Sequence, residues 1–205
     1  MKNNVQQIIN KFAEFLLICI FLVLATAMVY LDVKLWGRIP TESFVEFTQE
    51  VFIMASSIIF GILAYKKEER GLWLVSGFLG CMFIRELDEY FDILFHGSWF
   101  YFAVANALFA IFLALRKGLE NALASLAKYM TSKYFITMSC GMAIVLVYSR
   151  LIGMKLIWKL VMQDNFSYYV KNVIEEGTEL IGYSFILVAT LQYAWSLIKK
   201  NQNEE

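Results

Sequence analysis

Nine of the 18 acidic residues in this 205-residue chain lie inside or at the ends of apolar stretches: Glu46 and Glu50, then Glu86, Asp88, Glu89 and Asp92, then Glu175, Glu176 and Glu179. A carboxylate in hydrocarbon costs at least about 2.5–3.5 kcal/mol near the centre of a spanning helix, so it normally faces a bundle interior and has a partner. Helical geometry groups these residues further. At about 100° per residue, Arg85, Asp88, Glu89, Asp92 and His96 fall within one arc of roughly 100°. Asn172, Glu175, Glu176, Glu179 and Tyr183 repeat the same offsets, and Glu42, Glu46, Gln49 and Glu50 share a similar arc.

Three converging carboxylate stripes suit a hard divalent cation, which takes oxygen ligands, and Glu residues from facing helices build the di-iron and dimanganese sites of bundles. The expected cofactor is a divalent metal ion: Mg, Ca, Mn or Zn. Its ligands would come from Glu46, Glu50, Asp88, Glu89, Asp92, His96, Glu175, Glu176 and Glu179, with Arg85 and Tyr183 in support. The single histidine argues against a zinc hydrolase with three histidine ligands. Ion pairing is the competing arrangement, with Arg85 neutralised by Asp88 or Glu89 and other carboxylates by Arg150, Lys155 or Lys171. Glu42, Glu46 and Glu50 would also favour the positive end of a helix starting near Thr41 or Ser43. Metal or cation binding is preferred over pairing, because Glu175 falls roughly 12–16 Å along a helix opening near Asp164 or Ser167. Asn106, Tyr148 and Tyr183 either line the site or make interhelical hydrogen bonds.

The elements that must carry these stripes are membrane spans. At 60% hydrophobic, 17% aromatic and 18% charged residues, the chain is too apolar for a soluble enzyme and too rich in large apolar groups for a disordered tail. Stretches long enough to cross a bilayer core of about 30 Å run over Phe12–Leu31, Phe44–Tyr65, Gly71–Phe95, Trp99–Leu115, Tyr134–Leu151 and Val170–Ile198. The first continues through Tyr30 and Leu31, too far for a signal peptide. Positive residues stay cytoplasmic. One side of this topology collects Lys2, Lys11, Lys66, Lys67, Arg70, Arg116, Lys117, Lys128, Lys133, Lys199 and Lys200. The other collects Lys34, Arg38, Arg150, Lys155, Lys159 and Lys171, which puts both termini in the cytoplasm and all three stripes in the outer half of the membrane. Trp99 to Phe102, with Tyr168 and Tyr169, fall where an outer aromatic belt belongs. Leu119, Leu123, Leu126 and Met130 recur at helical spacing among lysines, a pattern shared by an interfacial helix and a plain connector.

Cys19, Cys81 and Cys140 lie in apolar runs without metal or disulfide spacing and read as core residues. No Gly-rich or Ser-rich linker divides the chain. The expectation is therefore an all-α integral membrane bundle of six transmembrane helices with both termini cytoplasmic, residues 1–205 as a single domain, multi-pass in the cell membrane, the inner one if the cell is Gram-negative. Lipid is the expected partner, with a homo-oligomer left open; zero net charge gives no argument for nucleic acid.

The run Arg85-Glu86-Leu87-Asp88-Glu89 followed by His96, with Ile174-Glu175-Glu176-Gly177-Thr178-Glu179-Leu180, resembles multi-pass bacterial membrane proteins of unassigned activity that pair an Asp-Glu then His signature with a Glu-Glu-x-x-Glu helix. That resemblance implies no activity. The layout is also similar to the alkaline ceramidase superfamily of membrane hydrolases, but six spans and the lack of a three-histidine set break the pattern. Three classes of function remain, in this order: a cation channel or transporter subunit, a membrane-embedded metal-dependent enzyme on a lipid-like substrate, and a structural or signalling subunit whose charges only pair. Whether the chain is an enzyme stays open at this point. The lack of a convincing inverted repeat counts against a typical secondary transporter.

Overall fold

The computed structural model describes residues 2–202, with side chains from Asn4 to Lys199, so the side chains of Lys2 and Lys200 lie outside the described residues. The chain is all-α: 86% helix, with no strand among the described residues. Its helices are α1 (Lys2–Trp36), α2 (Phe44–Lys66), α3 (Leu72–Glu86), α4 (Asp88–Asp92), α5 (Trp99–Leu115), α6 (Leu119–Met130), α7 (Lys133–Ala143), α8 (Ser149–Ile152), α9 (Lys155–Met162) and α10 (Tyr168–Gln202). A π-helical turn, Ile144–Tyr148, joins α7 to α8. Four helical stretches are long and apolar enough to cross a membrane: Asn4–Trp36, Phe44–Lys66, Lys133–Ile152 and Tyr168–Lys199. Trp99–Leu115 with Leu119–Met130, bent by 104° between them, raises the number to five if the pair is one span.

The stretch expected to form one span over Gly71–Phe95 is interrupted at Leu87, so α3 has 15 residues and a length of about 22 Å, short of a bilayer core. The cause is local. Arg85, Glu86, Asp88 and Glu89 crowd five positions, and the interruption at Leu87 makes Asp88 and Glu89 first-turn residues of α4, where acidic side chains meet the positive end of a helix.

The described chain divides into two compact units, one comprising residues up to Gln49 with Ser139–Val188, the other Glu50–Met138 with the residues from Ala189 on. In the first, the start of α2 is capped twice. The Asp32 carboxylate, fully buried, accepts the backbone N–H groups of Phe44 at 3.0 Å and Val45 at 2.9 Å, and Ser43 Oγ accepts the Glu46 N–H at 3.0 Å. These are N–H groups that the first turn of a helix leaves without an internal partner. The α7 segment meets α10 backbone to backbone: a Cβ on Gly141 would come within 2.7 Å of the Gly182 carbonyl oxygen and 2.9 Å of the Ile186 nitrogen. Only glycine permits that approach.

In the second unit α3 packs along α5. Gly77 lies against Ala110, and Asn106 donates to the Gly77 carbonyl at 2.8 Å, so Asn106 is an interhelical hydrogen-bonding residue. Phe60, Tyr129 and Tyr193 form a buried aromatic cluster with ring centroids 4.8–6.0 Å apart. Cys19 and Cys81 are half-buried and Cys140 is exposed, in place of the core positions expected; Cys81 Sγ donates to the Ala103 carbonyl of the facing helix at 3.2 Å.

Candidate functional site

In the first unit, α10 carries its carboxylates on an unbroken helix, as its spacing predicts. Glu179 is buried, Glu175 and Glu176 are half-buried, and Tyr183 is fully buried one turn further on. Arg150 forks across two of them, with Nη1 at 3.5 Å from Glu175 Oε1 and Nη2 at 3.1 Å from Glu179 Oε1. Buried Lys171, one turn before Glu175 on the same helix, pairs with its other oxygen. Two cations thus face two carboxylates, the neutralisation that burial of charge demands. The third carboxylate, Glu176, is reached from α2: Gln49 Nε2 donates to its backbone carbonyl at 3.0 Å and lies 3.4 Å from its Oε2.

Local geometry delivers Arg150 to this place. Arg150 follows a single π-helical turn, Ile144–Tyr148, closed by the Ser149 N–H on the Ile144 carbonyl, and Val145 within that turn is buried against Gly182. Gly153, just past α8, completes the seat: a Cβ there would come within 2.5 Å of Glu175 Cδ and 2.8 Å of its Oε1. Tyr168 adds an aromatic face at 5.4 Å from both Lys155 and Lys171.

The second unit holds the other stripe in a different state. Asp88 and Glu89 are exposed, and His96, outside any helix, has a side chain that is 99% exposed. Arg85 lies 3.7 Å from Glu86, rather than pairing with Asp88 or Glu89 as expected, because the interruption at Leu87 puts those two on a separate helix. Asp92 accepts the Gly97 N–H at 2.7 Å and lies 2.8 Å from His96 Nδ1. The Gly97 hydrogen bond, and secondarily His96, hold its carboxyl below the usual aspartate range. Gly97 turns there with φ +81°, a conformation glycine adopts freely.

The nine expected ligands therefore divide, with Glu46, Glu175, Glu176 and Glu179 in the first unit and Glu50, Asp88, Glu89, Asp92 and His96 in the second. Among the described residues, no group of three or more His, Cys, Asp or Glu side chains is arranged to hold a metal ion. Tyr148 is exposed, so it does not line the α10 cluster. Sequence reasoning passed over Asp32, although a lone acidic residue ending an apolar run a dozen positions before a helix start is a cap signal, and it passed over Gly153, which no pattern marks. The chain matches no protein-family model, no curated protein and no solved structure.

Proposed function

We propose that this chain is a multi-pass protein of the cell membrane with six spans and cytoplasmic termini, acting as a structural or signalling subunit whose membrane-embedded carboxylates are neutralised by its own cations. The observation that carries this reading is the Arg150 fork on Glu175 and Glu179 together with Lys171 on Glu175. An electrostatic core of this kind needs no bound ion to hold Glu175 and Glu179, because each of these two carboxylates already faces a cation. A cation channel or transporter subunit is the second reading. It draws support from Asp88 and Glu89, which are exposed and pair with no described residue, as an acidic entrance would require.

Thermal melting of the detergent-purified protein, with and without chelator and with added Mg, Ca, Mn or Zn, separates the two. A ligand that binds only the folded state raises stability by RT ln(1 + [L]/Kd). The paired reading expects superimposable curves. A midpoint that rises with one of these ions and falls with chelator would replace it by the cation reading. Cysteine labelling at His96, whose side chain is exposed, from the outer side and not from the cytoplasm checks the orientation.

A further inference from the structure

The 104° bend between α5 and α6 sets α6 almost at right angles to a helix about 25 Å long that covers most of a bilayer core. Around α6 the residues divide into three sectors at about 100° per residue. Ala122, Ser125 and Tyr129 are buried, and Ser125 Oγ accepts the Gly71 N–H at 2.5 Å at the start of α3. The next sector, Leu119, Leu123 and Met130 with half-buried Leu126, is apolar and exposed. The remaining sector is polar and holds Glu120, Asn121 and Lys128.

The polar side is tied to the α2–α3 connection by two ion pairs, Lys117 with Glu68 at 2.9 Å and Lys128 with Glu69. These pairs fix the roll of α6 about its axis and with it the direction of the leucine sector. Charge at this end of the second unit is one-sided. Residues 66–70 and 116–133 contain seven Lys or Arg against three Glu. Lys66, Lys67 and Arg116 make no ion pair with any described residue.

We infer that α6 is an in-plane helix seated on an anionic bilayer surface, its Leu119–Leu123–Met130 sector among the acyl chains and the unpaired basic residues of the neighbouring helix ends at the lipid phosphates. Orientation and charge both enter this assignment: a helix perpendicular to a span lies at headgroup depth, and an apolar sector flanked by cations fits an anionic leaflet better than a neutral one.

The test places the photoreactive residue benzoylphenylalanine at Leu123, or at Ala124 on the polar side, in the full chain reconstituted in nanodiscs of equal parts phosphatidylcholine and phosphatidylglycerol. After irradiation, intact mass reads the adducts. Lipid adducts are expected at position 123 and not at 124. Phosphatidylglycerol adducts should exceed phosphatidylcholine adducts by about five-fold or more, a factor that Lys66→Gln, Lys67→Gln and Arg116→Gln combined should largely remove. Equal lipid yields at the two positions, or a crosslinked protein dimer from position 123, would overturn the in-plane seating. Equal yields of the two lipids at 123 would overturn the anionic preference. The melting test of the α10 cluster depends on none of these outcomes.

Discussion

Arg85–His96 and Asn172–Tyr183 place polar residues at identical offsets, yet one stretch is exposed and turned upon itself while the other is buried and paired. Along α10 the helix runs unbroken, and Arg150 arrives from α8 to meet its carboxylates. At Leu87 the helix is interrupted, and the carboxylates beyond it settle locally: Asp88 and Glu89 into a first turn, Asp92 onto Gly97 and His96. Offsets define a shared face only while the helix continues. Burial then follows where another element brings opposite charge.

The sharpest way to break this contrast is Glu175→Gln, which leaves buried Lys171 without its counter-ion. A loss of about 3–5 kcal/mol, unchanged by chelator, is expected in melting experiments. A protein equally or more stable than the parent, binding metal less well, would show that carboxylate repulsion relieved by a bound metal, not pairing, governs this cluster.

Gly153→Ala should cost less, about 1–3 kcal/mol, because its Cβ overlaps the Glu175 carboxylate and must displace it. Combining the two substitutions tests the seat directly. A non-additive double mutant is expected, since both act on one side chain, and strict additivity would place the Gly153 effect elsewhere.

On the exposed stripe, Asp88→Asn with Glu89→Gln should shift stability by about 0.5 kcal/mol or less, as surface substitutions usually do. A large loss would mean that this stripe is as dependent on its charges as α10. The smallest effect belongs to Asp92. Its carboxyl is held below the ordinary value of 3.8, so its contribution is complete above that pH and disappears as pH falls through its depressed value. Acid titration followed by NMR should show the Gly97 amide responding below that point; a Gly97 midpoint at or above the ordinary aspartate value would contradict the hydrogen bond.

Much of the helical layout is legible in the residues. The apolar run bounded by Ser98 and Arg116 gives α5 its limits, and the Ser43-Phe44-Val45-Glu46 pattern opens α2 where capping chemistry places it. Arg150 and Lys171 stand among the expected neutralising residues for the same reason, since membrane carboxylates need nearby cations. The interruption at Leu87 was not legible, because periodicity counts polar positions without weighing the cost of carrying four charges through one turn. The π turn was equally hidden: Ile144-Val145-Leu146-Val147-Tyr148 reads as ordinary helix, and only packing against α10 reveals the extra residue. The metal expectation rested on convergence of three stripes, a property of tertiary structure that spacing within single helices does not contain.

The double cap at the start of α2 also bears on how α1 and α2 depend on each other. Asp32 is synthesised 12 residues before Phe44, so the acceptor for the first turn of α2 exists before that turn does. Closing so short a loop costs little chain entropy, and the contact depends on nothing made later. A buried carboxylate of this kind therefore ties the end of α1 to the first turn of α2 across a short connection, so two of the α2 amide groups are satisfied only when the end of α1 is in place.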